Sequence, residues 1–453
     1  MRRVVRAVVA VILFVACDPV RPTSPSSRAP TLRPPSFQQV PSAFASGYVA
    51  VDLGGRFSEA VAINDASQIT GKTSEGGALW TNGVRTDLGP ISPVALNAGA
   101  QVAGNCGSHA CLWDNGTLTD LGALDGSFSS VGGSPSHRAM NEAGQVAVQS
   151  AGRGFIWANG VKTELPFVPS AINNAGQVVG GFIRAFLWSN GDTTALVPDR
   201  SAHSRAVDIN DGGRVLGLID FAPGFVWAGG TRTDFAMGDP RLITNSGKVA
   251  GSGSVNGSDQ HAFLWDSGVL TDLGTLGGNF SAATGINEAG QVVGASSAVS
   301  GGGPHSTTHA FLWTGGAMVD LGTLGGESSQ ARDINEDGEI VGWSQIRPDN
   351  FEAHATLWHR MTPMEWIDAT SGQVNGLVTS GALTQDQADG LLAKLRQARA
   401  NLDAGRTEVT VHLLEAFVNQ VEGLIGDGVL AQARGQELIV AARGISARLQ
   451  TAT

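Results

Sequence analysis

Short apolar runs, separated by turns rich in glycine and asparagine, recur through most of the chain. One unit shows four such runs, at residues 282–286, 291–293, 310–313 and 317–321. The third run of every unit ends in a tryptophan, and these residues are Trp80, Trp113, Trp157, Trp188, Trp227, Trp265, Trp313 and Trp358. Repeats of roughly 40 residues with four strands each are typical of propeller blades. The pattern predicts an all-β propeller of eight four-stranded units over residues 47–366, with seven blades as the alternative count.

Two kinds of turn support this prediction independently of the repeat length. Pairs such as Asn82-Gly83 and Gly315-Gly316 separate the third and fourth runs, and such pairs suit two-residue hairpins because they tolerate positive φ. The first and second runs meet at an asparagine, as at Asn64 and Asn287, whose side chain can form an Asx-turn. Thr244 takes that place in the sixth unit. Consecutive runs are therefore expected to pair as antiparallel neighbours.

The fourth run of the repeat has one copy more than the others. Residues 49–53 match it before the first full unit, and residues 364–367 are predicted to supply it in the eighth unit. One terminal strand can therefore close the ring.

Residues 367–453 follow a different pattern, with apolar positions at helical spacing, as in Leu391, Leu395 and Leu402. Thr384 and Gln387 fit a capping box, and Gly405 and Gly428 lie where helices should end. The segment is predicted to be a small α-helical bundle, and its mixed polar faces favour a bundle core over a helix lying on a membrane.

The first 16 residues have the features of a signal peptide. Three arginines precede an apolar run at residues 7–16, which is too short to span a bilayer as a helix. The run ends in Phe14-Val15-Ala16-Cys17, which resembles a bacterial lipobox. Cys17 is then expected to be lipidated and to become the mature N-terminus, anchored at the bacterial membrane or cell surface; the alternative is an ordinary secretory peptide with an incidental cysteine. Residues 17–46 are rich in proline and serine and predict an extended tether.

Charge argues against nucleic acid as a partner. The chain carries a formal net charge of −11, and its basic excess is confined to residues 1–46, with six arginines and one aspartate. Residues 47–366 carry −14. An acidic body without a basic stripe does not favour binding to phosphates.

Two resemblances follow from these motifs. The strings INEAGQVVG, HAFLW and TDLGTLGG are similar to the HAF-type extracellular repeats of secreted bacterial proteins, over about residues 50–366. That family is regarded as propeller-like, and the resemblance implies an exported, non-enzymatic protein, with no catalytic or ligand residues to transfer. The strings GALTQDQADGLLAKL and LLEAFVNQVEGLI resemble the FIMAH helical module of exported bacterial proteins, over residues 377–449.

The residue types that carry chemistry give few candidates. With Cys17 set aside for lipid, Cys106 and Cys111 remain as a pair in an exported chain, and a disulfide is expected. Two free thiols, or a metal site that includes His109, are the alternatives. No cofactor or metal site is otherwise indicated.

Histidines and carboxylates recur at fixed repeat positions. The histidines that begin the third run are His109, His261, His309 and His354. The carboxylates at the fourth run are Asp52, Asp87, Asp120, Glu164, Asp234, Asp272, Asp320 and Glu365. Their recurrence favours hydrogen bonding at strand ends or between blades over a shared metal or paired acid–base catalysis.

Length variation places the candidate binding site. The last three units are longer between the second and third runs, at residues 252–260, 295–308 and 343–353, and the third unit has a long fourth-to-first connection at 125–137. All four lie on one face of an up-and-down propeller, and insertions confined to one face of a repeat array often mark its binding side. The best contact candidates are Trp343, Arg347, Asp349 and Phe351. Neutral loop drift is the alternative.

The predicted function is therefore that of a membrane-tethered binding or scaffold protein outside the cytoplasm, with an unidentified protein or glycan ligand on the face with long loops. The alternative is a propeller enzyme that acts on extracellular polysaccharide. Several carboxylates in one pocket would favour the enzyme.

Overall fold

The computed structural model describes residues 47–451 except 133–137, 199–202, 220–223, 236–237, 256–258, 299–306 and 350. The predicted signal peptide, Cys17 and the tether at residues 17–46 lie outside the described residues. The described part of the chain is mostly β-strand, in four-stranded sheets, followed by four α-helices.

The first four sheets follow one another along the chain, and we number them in that order. The first contains β2 (Glu59–Ile63), β3 (Ile69–Thr73), β4 (Gly76–Thr81) and β5 (Val84–Gly89). The second contains β6 (Ser92–Leu96), β7 (Val102–Cys106), β8 (His109–Asp114) and β9 (Thr117–Asp120). The third contains β10 (Ser129–Val131), β11 (Val146–Ser150), β12 (Arg153–Ala158) and β13 (Val161–Leu165). The fourth contains β14 (Pro169–Ile172), β15 (Val178–Gly180), β16 (Phe186–Ser189) and β17 (Asp192–Ala195).

The last four sheets continue the series, and the eighth also includes the first strand of the described chain. The fifth contains β18 (Ser204–Ile209), β19 (Val215–Ile219), β20 (Gly224–Ala228) and β21 (Thr231–Phe235). The sixth contains β22 (Asp239–Ile243), β23 (Val249–Ser254), β24 (Gln260–Asp266) and β25 (Val269–Asp272). The seventh contains β26 (Gly277–Ile286), β27 (Val292–Ala298), β28 (Thr307–Thr314) and β29 (Ala317–Asp320), and one parallel pair, Gln260 with Phe280, joins it to the sixth. The eighth contains β30 (Ser329–Ile334), β31 (Ile340–Gln345), β32 (Ala353–Arg360) and β1 (Tyr48–Asp52).

The fourth strand of the eighth sheet is β1, and the prediction of a strand at residues 364–367 was wrong. β1 pairs antiparallel with β32, from Tyr48 opposite Arg360 to Asp52 opposite Thr356. Residues 364–367 instead belong to helix α1 (Pro363–Thr379). Thr362 caps this helix and forms a capping box with Glu365, and Pro363 suits the first helical position. The helical region therefore begins at residue 363 rather than 367, and Glu365 is not a strand-end carboxylate.

Buried apolar clusters lie between consecutive sheets of the described chain. A further cluster joins the eighth sheet to the first, where Val341 and Ala355 pack against Ala60, Ile63 and Trp80. Each sheet thus has an apolar neighbour on both sides, and the core is divided among these interfaces.

The turns between first and second strands form the predicted Asx-turns. Asn64 Oδ1 accepts hydrogen bonds from Ala66 N and Gln68 N, at 3.1 and 3.0 Å. The same asparagine also donates from Nδ2 to the carbonyl oxygen of Asn97 in the next sheet, at 3.0 Å. Equivalent bonds leave Asn97, Asn141, Asn173, Asn210, Asn287 and Asn335. The bond from Asn335 reaches Asn64 O at 3.2 Å and so links the eighth sheet to the first.

A recurring serine makes a second link between sheets, which the sequence reasoning did not identify. Ala262 N, on β24, donates to Ser281 Oγ at 2.8 Å, and Ser281 Oγ donates to Gly274 O at 2.6 Å. The matching serines that accept from the preceding sheet are Ser58, Ser129, Ser204 and Ser329. Their signal in the sequence is a serine at a constant position, six residues before the turn asparagine in four of the five units.

The C-terminal region consists of α1, α2 (Gln385–Asp403), α3 (Thr407–Gly426) and α4 (Gln432–Thr451) around one buried core. The capping box of Thr384 and Gln387 is confirmed, and Gly405 and Gly428 follow the ends of α2 and α3 with positive φ. Arg448 of α4 donates to the carbonyl oxygen of Met361 at 2.6 Å. No helix among the described residues is long and apolar enough to cross a membrane.

Candidate functional site

Because the strands of each sheet are antiparallel, the set of eight sheets has two faces. First-to-second and third-to-fourth turns lie at one end of the strands, which we call the turn face. Second-to-third and fourth-to-first connections lie at the opposite end, the connection face. Hydrogen bonds between successive turns, which run through Glu288 from the sixth sheet to the seventh, place the turns of all eight sheets on the same side.

The long second-to-third segments are on the connection face, but much of their length is strand. β24, β28 and β32 have 7, 8 and 8 residues, against 6 for β4 in the first sheet. Strands β23, β27 and β31 extend to Ser254, Ala298 and Gln345, and the strands that pair with them begin at Gln260, Thr307 and Ala353. The backbone N–H and C=O groups of the additional residues need hydrogen-bond partners. Many of these residues therefore lengthen the paired strands of the hairpin.

The prediction of a long fourth-to-first connection at residues 125–137 was wrong in one respect. This segment contains β10, so the extra residues interrupt the first strand of the third sheet instead of preceding it. Asn141 follows Ser129 by twelve positions, whereas Asn287 follows Ser281 by six. The chain resumes the strand position near Met140, which forms a bridge with Val146. Residues 133–137 lie outside the described residues.

All four exposed phenylalanines of the described chain lie on the connection face. Phe57 (60% exposed) and Phe128 (54%) are in fourth-to-first connections, and Phe182 (72%) and Phe351 (87%) are in second-to-third connections. No tyrosine or tryptophan of the described residues is exposed. Exposed aromatic surface is thus confined to one face.

The four predicted contact residues are close in sequence but differ in exposure. Arg347, Asp349 and Phe351 are exposed in the connection between β31 and β32. Trp343 is half-buried within β31, where it lies opposite Gln330 and Ala355. Phe351 neighbours Glu352, whose carboxylate pairs with Arg56 at 2.9 Å. The guanidinium of Arg56 also lies over the Phe57 ring, so Phe351 and Phe57 flank one ion pair.

The recurring histidines pair with the recurring aspartates of their own sheets. His Nδ1 lies 2.8 to 3.0 Å from the nearer aspartate oxygen in the pairs His109–Asp120, His261–Asp272, His309–Asp320 and His354–Asp52. Asp120, Asp272, Asp320 and Asp52 also accept the backbone N–H of the glycine two residues later. The histidines and these aspartates therefore form strand-end hydrogen bonds, as predicted, and each pair stays in its own sheet.

Two of these pairs give a pH dependence with a definite sign. The carboxylate of Asp320 accepts a hydrogen bond from His309 and raises the pKa of this histidine, and the carboxylate of Asp52 does the same for His354. A raised folded-state pKa adds stability that is fully present below the unfolded value, near 6.5, and is lost as the pH rises through the folded value. Replacing both with glutamine should reduce the fall in thermal midpoint between about pH 6 and pH 8.5. His412→Gln, at an exposed position of α3, is the control; an equal fall in wild type and double variant would contradict the assignment.

Two cavities open beside the strands that come first in their sheets. One, of about 380 Å³, lies at the connection-face ends of strands in the third to sixth sheets and is lined by residues that include Arg205, Asp239 and Arg241. The other, of about 280 Å³, lies at the turn face and is lined by residues that include Glu142 and Asp211. Both of those carboxylates accept backbone hydrogen bonds from a neighbouring turn, Glu142 from Ala98 N and Asp211 from Asn174 N.

Cys106 and Cys111 are joined as a disulfide, with Cα atoms 5.9 Å apart, at the second-to-third turn of the second sheet. His109 lies between them in sequence but pairs with Asp120. Among the described residues, no group of three or more histidines, cysteines or carboxylates is arranged to hold a metal ion.

Comparison with known families identifies the helical region. Residues 367–445 match the FIMAH domain family. No curated protein sequence matches the chain.

Solved structures resemble the chain only distantly. A Mycobacterium tuberculosis puromycin-hydrolyzing peptidase has a TM-score of 0.39 at 12% identity, over 67% of this chain and 60% of that one. The extracellular domain of a putative hybrid two component system from B. thetaiotaomicron has a TM-score of 0.36 at 7% identity, over 60% of this chain and 38% of that one. The Aleuria aurantia lectin, in complex with alpha-methyl-L-fucoside, has a TM-score of 0.26 at 10% identity, over 64% of this chain and 88% of that one.

Proposed function

We propose that this chain is an exported, lipid-anchored β-propeller protein that binds a ligand through its connection face and performs no catalysis. The N-terminal charged and apolar segments support export, and the repeats support the assignment by their resemblance to HAF-type extracellular proteins.

Contacts between the eighth and first sheets support the propeller. An apolar cluster joins them, and several hydrogen bonds cross between them, among them those from Asn335 Nδ2 to Asn64 O, from Ile63 N to Asp333 Oδ2 and from Ala355 N to Ser58 Oγ. The same kinds of cluster and bond join sheets that are consecutive in the chain. Eight blades closed by β1 account for this pattern.

The confinement of exposed phenylalanines to one face carries the binding proposal. Neutral drift accounts for connections of variable length, but it does not place all four exposed aromatic side chains of the described residues on one face. Exposed apolar surface favours association, and aromatic side chains with arginine are frequent hot spots in interfaces. Arg56 lies over the ring of Phe57 and pairs with Glu352, the sequence neighbour of Phe351, so these residue types occur together.

A triple variant tests this proposal directly. Phe57→Ala, Phe182→Ala and Phe351→Ala together should reduce the capture of an envelope component by the immobilised full-length protein at least ten-fold. The thermal midpoint should change little, because these side chains are exposed. Capture is measured by quantitative mass spectrometry of native envelope extracts.

A second triple variant provides the matched control. Val84→Ala, Val161→Ala and Val269→Ala remove exposed apolar side chains at the start of fourth strands, away from the connection face. This protein should capture as wild type does. Undiminished capture by the phenylalanine variant, or equal losses in the two variants, would overturn the assignment of the face.

Lipid anchoring has its own test. Metabolic labelling with a fatty-acid analogue should mark the wild-type protein, and Cys17→Ser should abolish the label and release the protein from membranes, because stable anchoring requires the acyl chains. Cys106→Ser with Cys111→Ser is the control and should keep the label. Retention of label by Cys17→Ser would refute the proposal.

The distribution of carboxylates supports binding over catalysis. The aspartates Asp52, Asp120, Asp272 and Asp320 belong to four different sheets and pair with separate histidines. The larger cavity includes one carboxylate, Asp239, among its lining residues. Paired acid–base catalysis needs two carboxyl groups at one substrate.

A further inference from the structure

The charged residues that line the larger cavity sum to a positive charge, whereas residues 47–366 as a whole are acidic. Arg205 enters from β18, and Asp239 and Arg241 enter from β22. Two guanidinium groups and one carboxylate leave an excess of one positive charge, within a segment that carries −14 overall. At physiological ionic strength the Debye length is about 8 Å, so charges on distant outer strands are largely screened there. The local field in the cavity therefore favours an anion.

Asp239 uses only a small part of the donor capacity of the two arginines. Arg205 Nη2 lies 3.3 Å from Asp239 Oδ1, and Arg241 Nη2 lies 3.2 Å from Asp239 Oδ2. Each guanidinium has five N–H donors. Arg241 Nε is also buried without a hydrogen-bond partner among the described residues. Because a buried N–H donor without a partner is energetically unfavourable, the described protein atoms alone do not satisfy this group.

The other lining residues indicate the class of ligand. Gln149 and Ser170 offer uncharged polar groups suited to hydroxyls, and the exposed Phe182 lies at the rim. The volume of about 380 Å³ is within the usual range for small-molecule sites. A guanidinium pair, neutral polar groups and a flat apolar surface together match a carboxylate on a polyhydroxylated ring.

We propose that this cavity binds a sugar carboxylate, a uronic acid unit of an acidic polysaccharide. The single excess positive charge matches a monoanion, and the planar guanidinium matches a carboxylate through two parallel hydrogen bonds. Phe182 then packs against the C–H face of the sugar ring. This inference rests on the proposed function, because it names the ligand of the same connection face.

Calorimetric titration of the full-length protein with digalacturonate tests the inference. Wild type should bind one digalacturonate and show no heat of binding with lactose, a neutral disaccharide. Arg205→Gln with Arg241→Gln should weaken binding at least ten-fold, and Phe182→Ala should weaken it about three-fold or more. Arg232→Gln is the matched control. It removes a partly exposed arginine that pairs with Asp234 on β21, the outer strand of the sheet that contains Arg205. It should bind as wild type does.

Any of four outcomes would overturn the inference. Undiminished binding by the double arginine variant would place the ligand elsewhere, and equal binding of lactose would remove the role of charge. Equal binding of inorganic sulfate, unaffected by Phe182→Ala, would show an anion site without sugar recognition. If digalacturonate fails to bind while the triple phenylalanine variant still loses envelope capture, the binding face stands and only its ligand is wrong.

Discussion

A chain shortened to residues 53–453 should unfold at a markedly lower denaturant concentration than one that begins at residue 47. The deletion removes β1 and leaves the eighth sheet with three strands. It also removes Tyr48, which is buried and donates from its hydroxyl group to Gly338 O at 3.1 Å. Trp358 is fully buried and lies opposite Ala50 in the strand register, so the deletion should expose it to solvent.

The expected loss is on the order of 5 kcal/mol in the free energy of unfolding, from burial of one large side chain plus several hydrogen bonds of about 1 kcal/mol each. Val49 packs on the helical core, and Gly47 O accepts a hydrogen bond from Met361 N, so the helices should also become less stable. Guanidinium unfolding followed by tryptophan fluorescence measures the change.

The chain that begins at residue 47 is the control, because it lacks the same upstream segment but keeps β1. Adding a synthetic peptide of residues 46–54 to the shorter chain should restore part of the stability in a concentration-dependent way. Identical midpoints for the two chains would show that β1 does not hold the eighth sheet.

Local signals were sufficient for most of the strands, for the turns and for the capping box at Thr384. The Asx-turn at Asn64 and the capping box of Thr384 and Gln387 depend on residues within four positions of each other. Their geometry follows from short-range hydrogen bonding, and the turn asparagine recurs in most units of the repeat. The strand-end pairing of His309 with Asp320 was also accessible, since both residues recur at fixed positions.

Long-range competition explains what the sequence did not show. Residues 364–367 and residues 49–53 both resembled the fourth strand, and the choice between them depended on the helix cap at Thr362 and on packing against β32. The larger cavity brings together residues from four sheets, between Gln149 and Arg241 in the chain. No local pattern marks such a set: Arg205 has no counterpart at its repeat position, and Arg138 and Arg332, which share the repeat position of Arg241, do not line this cavity.

Asn210→Asp should destabilise the protein by about 3 kcal/mol or more, although the two side chains have nearly the same shape. Asn210 is fully buried, its Oδ1 accepts from Arg214 N at 2.9 Å, and its Nδ2 donates to Thr244 O at 2.9 Å and to Asn245 O. The aspartate keeps the acceptor for Arg214 N. It replaces the donor with a negatively charged oxygen that faces two carbonyl oxygens of the next sheet.

Asn210→Thr is the matched control, because the sixth sheet already has Thr244 at this position, with its hydroxyl oxygen accepting from Lys248 N. Threonine keeps the turn and removes only the bond between sheets, so its cost should be about 1 kcal/mol. The penalty for aspartate should also shrink below about pH 5, because a protonated carboxyl group can donate to Thr244 O. Thermal unfolding of the three proteins between pH 4 and pH 8 separates these effects. Equal stability of the aspartate and threonine variants at neutral pH would show that the inter-sheet bond faces solvent and does not join the sheets.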